Sequence, residues 1–438
     1  MASAAHSSSS STTQIIRPAR GFRGSLTLPG DKSISHRYAM LAGFAEGTSR
    51  LTNFSTGADP HSSLACMEAM GAKVSLEGAT IGVTGVGGAL QQPKGDLDCG
   101  NSGSTMRMMA GLVASQKGTY RFVGDESLTV RPMERIRKPL EAMGARIELT
   151  DGHAPMTVHG GSLKAIDFEA PIASAQVKTA VLFAGLGAAG TTSFAESVRT
   201  RDHSEHALRA FGVELERREN RVYIEGGQKL KAIDATVPGD MSSAAFFLCA
   251  ALLYEDSNLV LDLLGMNPTR ATLLDAISAM GGMIKVLDVQ EQHGEMAGTI
   301  QVQRGFGGFK GMEISGSLSA QLIDELPVIA AIGPYSRDGI RIRDAKELRV
   351  KESDRIALVV KNLRAMGAEV IEHEDGMDVP GGQTLHGGVI DSGLDHRIAM
   401  AFSIAALRAE GETEIQGADA AKISFPEFFD RLDELAIR

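Results

Sequence analysis

Basic residues recur at or near the predicted starts of helices in this sequence. Lys32 and Arg37 lie in PGDKSISHR, and Lys351, Glu352 and Arg355 lie within five positions in LRVKESDR. A helix N-terminus presents free N–H groups and a partial positive charge, so it attracts phosphates and carboxylates. This recurrence predicts a site for a small ligand with several negative charges. Further cations of this kind are Arg131, Lys178 and Arg397, and the neutral Gln176 accompanies Lys178 in ASAQVK.

Two acidic residues are candidates for moving a proton at that site. Glu352, between Lys351 and Arg355, is either a charge-tuned proton donor or an ordinary salt-bridge partner. Asp324 lies in the otherwise apolar segment QLIDELP, where it is either a general base or a helix cap. The local sequence leaves both alternatives open.

The composition excludes several classes of protein. The chain has 438 residues, 43% of them hydrophobic, and a formal net charge of −10, which disfavours general binding to nucleic acid. Cys66, Cys99 and Cys249 are widely spaced, so neither a disulfide framework nor a structural zinc site is expected. The longest apolar run, residues 244–254, is too short to cross a bilayer.

Cofactor motifs are missing or misplaced. Residues 185–190 match G-x-G-x-x-G, but they end a predicted helix and precede a strand, whereas dinucleotide binding requires the reverse order. No G-x-x-x-x-G-K-[ST] motif occurs. His36 and His396 have no second ligand at metal spacing, so we expect neither a metal nor a cofactor.

An internal repeat with a period of about 70 residues organises the chain. Five predicted helices end in a Met-Gly-Ala-like sequence whose glycine suits a helix C-terminus, and each is followed by strand-like runs. In most units, an apolar helix comes before the helix that has this ending. Residues 425–437 resemble a sixth copy of the unit that stops before its strands. The unit is therefore strand–helix–strand–helix–strand–strand. The predicted apolar helices are 33–44, 104–114, 174–186, 242–253 and 396–407.

A longer repeat divides the chain into halves. LPGDKS at 28–33 is echoed by VPGDMS at 237–242, which indicates three units per half and two similar domains.

Nine motifs, in the same order, closely resemble those of the 5-enolpyruvylshikimate-3-phosphate (EPSP) synthase family, bacterial members most of all. They are PGDKSISHR (29–37), CGNSGSTMR (99–107), VRPM (130–133), ASAQVK (173–178), TRDHSE (200–205), LIDELP (322–327), LRVKESDR (348–355), LDHRIAM (394–400) and SFPEF (424–428).

The resemblance implies an α/β (α+β) fold with two similar domains, each of three βαβαββ units, and an active site in the cleft between them. The Ser-rich residues 1–14 are expected to form a disordered tail rather than a plastid-targeting segment. The expected division is a first domain of 1–28 plus 239–438, a second domain of 29–238, and hinges near 28–29 and 237–239.

The implied reaction transfers the enolpyruvyl group of phosphoenolpyruvate (PEP) to the 5-hydroxyl of shikimate 3-phosphate. It yields EPSP and phosphate through a tetrahedral intermediate, as a step of aromatic amino-acid synthesis. The resemblance implies a cytoplasmic monomer that uses no cofactor and has no nucleic-acid or membrane partner.

The motifs also imply roles for individual residues. Lys32, Asp324 and Glu352 are the expected catalytic residues, with Asp324 facing the attacking hydroxyl and Glu352 carrying the proton at C3 of PEP. The shikimate 3-phosphate site is expected to comprise Lys32, Ser33, Arg37, Ser174, Ala175, Gln176, Arg201, Asp324 and Lys351. The PEP site is expected to comprise Lys32, Asn101, Gly103, Arg131, Gln176, Arg355, Arg397 and Lys422.

Three positions bear on these roles. Ala175 stands where many family members have Ser, so one hydroxyl contact to phosphate is missing. Lys422 lies one residue further from the Ser-Phe-Pro sequence than the family's usual Lys. Gly103 leaves space for glyphosate beside PEP in the family, so we expect the enzyme to be glyphosate-sensitive.

Two alternatives remain to be separated from this prediction. UDP-N-acetylglucosamine enolpyruvyl transferase shares the fold and the donor and uses a Cys or Asp on a loop in the second unit. Here residues 124–131 contain Asp125 but no Cys. The second alternative is a binding module that has lost catalysis, and the presence of both Asp324 and Glu352 argues against it.

Overall fold

The computed structural model of this chain describes residues 12–77 and 79–438. Helices and short strands alternate along the first part of the chain. The elements up to residue 170 are β1 (Thr13–Ile16), β2 (Gly21–Thr27), α1 (Lys32–Phe44), β3 (Thr48–Thr52), α2 (Ala58–Ala69), β4 (Lys73–Glu77), β5 (Thr80–Thr84), β6 (Leu97–Asp98), α3 (Gly103–Ala114), β7 (Gly118–Val123), α4 (Glu126–Thr129), α5 (Glu134–Met143), β8 (Arg146–Thr150), β9 (His153–Gly160), β10 (Leu163–Lys164) and β11 (Asp167–Ala170).

The same alternation continues to the C-terminus. The next elements are α6 (Ala175–Gly185), β12 (Ala188–Ala189), β13 (Thr191–Glu196), α7 (His203–Ala210), β14 (Leu215–Arg218), β15 (Arg221–Glu225), β16 (Asp234–Thr236), α8 (Met241–Leu253), β17 (Asn258–Gly265), α9 (Thr272–Ala279), β18 (Gly282–Gln292), β19 (Glu295–Arg304) and β20 (Met312–Ile314). The last are α10 (Gly316–Gln321), α11 (Leu326–Ile332), β21 (Ile340–Ile342), α12 (Arg355–Ala365), β22 (Ile371–His373), β23 (Gly376–Val379), β24 (Val389–Asp391), α13 (His396–Ala406), β25 (Thr413–Gln416), α14 (Phe428–Leu435) and β26 (Ala436–Ile437). Three 3₁₀-helices are described at Gly333–Tyr335, Lys346–Val350 and Ala418–Ile423.

The sheets repeat one strand order, as the predicted unit requires. In β6-β7-β9-β8, β11-β13-β15-β14 and β20-β21-β23-β22 the first two strands are parallel and the others antiparallel. Each is a βαβαββ unit, so the predicted α/β class with repeated units is confirmed. The buried apolar side chains form two cores, one drawn from residues 34–237 and one from residues 16–28 and 241–435.

Two strands pair far from their sequence neighbours and create the connections between the halves. β16 lies parallel to β3, and β2 lies parallel to β17, so each strand completes a unit begun elsewhere in the chain. The two connections that follow these strands run side by side, where Gly30 pairs with Gly239. A Cβ at Gly30 would lie 1.9 Å from the carbonyl oxygen of Asn53, so this close approach requires glycine.

The sixth unit differs from its sequence-based prediction. Its sheet is β1-β25-β24, in which β1 pairs antiparallel with β25 and takes the position that β9, β15 and β23 hold in the other units. The predicted helix at 425–437 is shorter, because residues 436–437 form β26 and pair with β2. The prediction of a disordered tail is wrong for Thr13 and Gln14, which lie in β1; residues 1–11 of that prediction lie outside the described residues.

The apolar helices begin within one residue of their predicted starts because the predicted polar residues cap them. In each case a side-chain oxygen accepts a hydrogen bond from a backbone N–H of the first turn, which fixes where the helix begins. The caps are Asp31, Ser102, Ser174, Asp240 and Asp395. Gly144, after α5, has φ of 111°, which explains the glycine in the repeated helix ending. Among the described residues, no helix is both long and apolar enough to cross a membrane.

Strand β1 should contribute to stability through one face only. Ile16 is 1% exposed and Ile15 is 43% exposed on the same strand. We expect Ile16→Ala to lower the free energy of unfolding by about 2–4 kcal/mol, and the matched Ile15→Ala to lower it by less than about 1 kcal/mol. Equilibrium unfolding in urea measures both, and equal losses would contradict the role assigned to β1.

Candidate active site

A cavity of about 350 Å³ lies between the two halves of the chain. Helices α1, α3, α6 and α13 begin at its wall, so their N-termini converge on one space. Most of the predicted site residues line this cavity. They are Lys32, Ser33, Arg37, Gly103, Arg131, Ser174, Ala175, Gln176, Arg201, Asp324, Lys351, Glu352, Arg355 and Arg397.

Three predicted site residues lie away from the cavity wall: Asn101, Lys422 and Lys178, which is buried and pairs with Glu196 and Glu205. Asn101 accepts hydrogen bonds from Arg131 at its backbone oxygen (3.2 Å) and at Oδ1 (2.9 Å), so it holds a cavity residue in place. Lys422 is exposed in the 3₁₀-helix Ala418–Ile423 and is not part of the lining.

Arg37 is a buried cation whose partners are neutral. Its guanidinium donates to the Ser204 hydroxyl at 2.7 Å, the Thr179 hydroxyl at 2.9 Å and the carbonyl oxygen of Ser33 at 2.7 Å. Burial lowers the pKa of Arg37 to about 10, although the charges of Asp31 and other acids act to raise it. Hydroxyl and carbonyl groups satisfy the N–H donors without neutralising the charge, so this end of the cavity favours an anion.

A second group of cations surrounds the start of α3. Arg107 donates to Oε1 of Gln176 at 2.9 Å and to the carbonyl oxygen of Pro132 at 3.2 Å. Burial, together with repulsion from Arg135 and Arg131, lowers the pKa of Arg107 to about 9. An anion placed here would relieve that repulsion. This group lies beside Gly103, where an added Cβ would be 2.7 Å from Nη1 of Arg107.

Asp324 is surrounded by cations rather than used as a helix cap. Arg201 donates to its Oδ2 at 2.7 Å, and Lys351 and Arg355 lie 3.8 and 3.7 Å from Oδ1. Burial acts to raise the pKa of Asp324, but the charges of Arg397 and Lys351 and of the other cations outweigh it and hold that pKa well below its ordinary value. An ionised carboxylate in this position can accept a proton from a bound hydroxyl.

Glu352 forms ion pairs and also lines the cavity. Its position therefore fits both alternatives that the sequence left open, a salt-bridge partner and a proton donor. Arg355 donates to its Oε2 at 2.6 Å, and Arg131 lies 3.5 Å from Oε1. Burial acts to raise the pKa of Glu352, but the charges of Arg355 and Arg131 hold it well below its ordinary value. Asp395 accepts from Nε of Arg355 at 2.8 Å and so fixes the guanidinium, which is 1% exposed.

Ion pairs join the two halves across the cavity. Arg201 in one half meets Asp324 in the other, and Arg131 likewise meets Glu352. At the base of the cavity, the backbone N–H of Lys32 donates to Asp240 at 3.0 Å. Each candidate catalytic carboxylate therefore forms an ion pair with a cation from the opposite half of the chain, and that cation is expected to bind substrate.

Comparison with known proteins agrees with this geometry. A family model described as EPSP synthase (3-phosphoshikimate 1-carboxyvinyltransferase) matches residues 16–432. The chain belongs to the EPSP synthase family. Two curated members named 3-phosphoshikimate 1-carboxyvinyltransferase are similar over nearly their whole length. That of Koribacter versatilis is 60% identical and that of Solibacter usitatus is 52% identical, with 97% and 96% of this chain and 99% of each relative covered.

Solved structures of EPSP synthases share the architecture. One from Acinetobacter baumannii matches with a TM-score of 0.85 and 38% identity, covering 97% of this chain and 98% of that one. The predicted family and the two-domain fold are therefore confirmed.

The EPSP synthase cavity also contains residues that the motifs did not single out. Arg107 ends the motif CGNSGSTMR, and Asp240 and Ser242 lie in the echo of PGDKS, so the sequence offered a signal for these three. Asp59, which accepts from Lys32 Nζ at 3.1 Å, and Arg270 lie outside every motif and reach the cavity only through the fold. Among residues 12–77 and 79–438, no group of three His, Cys, Asp or Glu side chains could hold a metal ion.

His396 is a buried, uncharged member of the cavity wall. Neither ring nitrogen has a hydrogen-bond partner among the described residues. Burial lowers the pKa of His396 to about 3, against an ordinary value of 6.5, although Asp395 acts to raise it. The imidazole is therefore neutral at physiological pH and contributes no charge to the site.

The depressed pKa of His396 predicts a loss of stability in acid. Below pH 6.5 the unfolded chain binds a proton at this residue, whereas the folded chain does so only near pH 3, so the folded state is penalised as the pH falls. The difference in unfolding free energy between His396→Gln and the native sequence should shift in favour of the variant from pH 7 to pH 4. Its slope should approach about 1.4 kcal/mol per pH unit. Urea unfolding at several pH values measures this difference, and a constant difference would contradict the assignment.

Proposed function

We propose that this chain transfers the enolpyruvyl group of PEP to the 5-hydroxyl of shikimate 3-phosphate and releases phosphate. The observation that carries the proposal is that two ionised carboxylates, Asp324 and Glu352, face one cavity lined by cations. Both substrates are phosphorylated carboxylates, so such a cavity complements their charge. The reaction belongs to the shikimate pathway of aromatic amino-acid synthesis.

Shikimate 3-phosphate is proposed to bind where α1 and α6 begin. Arg37 provides a buried charge that no carboxylate partner among the described residues neutralises by an ion pair. Ser174, which caps α6, lies beside Ala175 and Gln176, so the helix start offers N–H groups and a hydroxyl to a phosphate even though Ala175 has no hydroxyl. Lys32, Ser33, Arg201 and Lys351 complete the proposed site.

PEP is proposed to bind among the cations between the start of α3 and the starts of α12 and α13. Arg131, Arg355 and Arg397 have planar, forked donor groups that match phosphate and carboxylate oxygens two at a time. Asn101 holds Arg131, and Gly103 keeps the helix start open at this position. Lys422 lies outside this clamp, and its proposed contact with PEP would require the segment that carries it to approach the cavity.

The proposed chemistry has two steps. First, Asp324 accepts the proton of the 5-hydroxyl as that oxygen bonds to C2 of PEP, and Glu352 donates a proton to C3, which gives a tetrahedral intermediate. Second, Glu352 takes a proton back from C3, the double bond forms again, and the bond from C2 to the phosphate oxygen breaks. The proton that Asp324 accepted leaves with the phosphate as hydrogen phosphate, which restores the Asp324 carboxylate. Lys32 lies in the cavity wall where its charge can stabilise the departing phosphate.

Glu352 must hold a proton for the first step, although surrounding cations keep its pKa low. Arg355 and Arg131 are the main causes of that low pKa and are also the proposed ligands of PEP. When the anionic groups of PEP bind these guanidinium groups, they offset the positive charge that Glu352 experiences. The pKa of Glu352 should then rise, which makes it a suitable acid only in the complex.

Phosphate release from PEP provides the test of this reaction. The native enzyme should release phosphate with shikimate 3-phosphate and not with UDP-N-acetylglucosamine. Glu352→Gln should lower kcat by about 100-fold or more, because the amide cannot carry the proton. The exposed Glu374→Gln serves as the control variant and should behave as the native enzyme does. Release that is independent of shikimate 3-phosphate would show that the acceptor is a different molecule.

Inhibition by glyphosate tests the proposed PEP site. We propose that the native enzyme is glyphosate-sensitive because Gly103 leaves space beside Arg107 and Arg131. In Gly103→Ala the added methyl would lie 2.7 Å from Arg107, so the inhibitory concentration of glyphosate should rise by about 10-fold or more. Gly161→Ala is the control, since a Cβ at Gly161 meets no atom within 4 Å. Full native activity in millimolar glyphosate at low PEP would contradict the proposal.

A further inference from the structure

A largely buried ion cluster lies behind the proposed shikimate 3-phosphate site: its Lys and two Glu side chains are at most 2% exposed, and its Arg side chain is 19% exposed. Lys178 on α6 is 0% exposed, and its Nζ donates to Glu196 at 3.1 Å and to Glu205 at 3.0 Å. Arg217 on β14 donates to the same two oxygens, at 3.2 and 3.1 Å. Two positive and two negative charges are thus balanced away from the cavity. None of the four residues lines the cavity, so the reaction itself does not account for them.

The second carboxylate oxygen of Glu196 connects this cluster to the cavity. Glu196 Oε2 accepts from the backbone N–H of Thr200 at 3.1 Å and from its hydroxyl at 2.5 Å. These two bonds close the turn that follows β13. The next residue is Arg201, whose guanidinium reaches the cavity and contacts Asp324. The position of Arg201 therefore depends on where Glu196 is held.

Lys178 connects the same cluster to the other side of the proposed site. It lies in the first turn of α6, two residues after Gln176, and Ser174 caps this helix. Glu205 lies in α7 next to Ser204, whose hydroxyl accepts from Arg37. One ammonium group thus joins the helix start that carries Ser174 to the segment that carries Arg201.

We propose that Lys178 and Glu196 are positioning residues that set the binding of shikimate 3-phosphate by fixing Arg201 relative to the start of α6. The inference rests on the proposed function, because it names shikimate 3-phosphate as the ligand of these groups. A largely buried cluster in which each charge faces an opposite charge resists rearrangement, because moving any member would leave an uncompensated charge in a nonpolar surrounding. PEP is proposed to bind Arg131, Arg355 and Arg397, which the cluster does not contact, so its binding should be insensitive to the cluster.

The first experiment breaks the connection at Thr200. Thr200→Val removes the hydroxyl bond to Glu196 with little change of shape, and Thr200→Ser retains it. We expect Thr200→Val to raise KM for shikimate 3-phosphate by about 10-fold with kcat and KM for PEP changed less than about 2-fold. Thr200→Ser, which keeps the hydroxyl, should have the native KM for shikimate 3-phosphate. Thr192→Val is the matched control, because Thr192 is buried on the adjoining strand β13 and its hydroxyl has no partner among the described residues.

The second experiment removes the ammonium group, since Thr200 itself lines the cavity and could touch substrate. Lys178→Met alone leaves two buried carboxylates with one cation. Lys178→Met combined with Glu205→Gln leaves one cation and one carboxylate, so the cluster stays neutral. We therefore expect this double variant to fold. It should raise KM for shikimate 3-phosphate, and not for PEP, as Thr200→Val does. A native KM in this folded double variant, or an equal rise for both substrates, would overturn the proposal.

A crystal structure of the double variant separates failure of this inference from failure of the proposed function. Loss of the contact between Arg201 and Asp324 is the expected result, whichever acceptor the enzyme uses. An Arg201 guanidinium that remains 2.7 Å from Asp324 would overturn the positioning role. If the native enzyme ignores shikimate 3-phosphate while Arg201 moves in the variant, the proposed acceptor fails and the positioning of Arg201 stands.

Discussion

The burial of cations in the wall of the cavity is the constraint on which the rest of this structure depends. Guanidinium groups such as Arg107 and Arg37 are held where water cannot fully solvate them, and each has a lowered pKa as a result. Such an arrangement persists only if the surrounding elements prevent these side chains from turning toward solvent. Neutral acceptors bind the Arg37 donors without cancelling its charge, and the structure thereby keeps that charge available for a ligand.

The repeated unit explains how so many cations can be placed in one space. A βαβαββ unit presents the start of a helix at one end of its sheet, and three units per half direct several helix starts at the same cleft. The crossed pairing of β2 with β17 and of β16 with β3 then joins the halves by two adjacent connections. Close contact of the backbones at Gly30 and Gly239 brings the two PGD sequences together at the base of the cavity.

The sequence predicted those features that recur locally, and it missed those that depend on distant parts of the chain. Helix starts were predicted within one residue because a capping Asp or Ser precedes each, and the repeat was visible because its helix ending recurs. The pairing of β1 with β25 joins residue 13 to residue 416 and residue 16 to residue 413, and no local pattern encodes it. Asp59 was missed for the same reason, since its role beside Lys32 follows from the packing of α2 against α1.

The charges of the site also explain why substrate binding and proton transfer depend on each other. In this structure Asp324 and Glu352 each bind cations from the opposite half, and those cations are the proposed ligands of the substrate anions. A phosphate or carboxylate that binds Arg131 or Arg201 must therefore replace a catalytic carboxylate as the partner of that cation. The replaced carboxylate then experiences less positive charge, so its affinity for a proton increases at the moment when a reacting group is beside it. A site built from the same cations with neutral partners would bind the two anions, but it would have no means of preparing its acid and base.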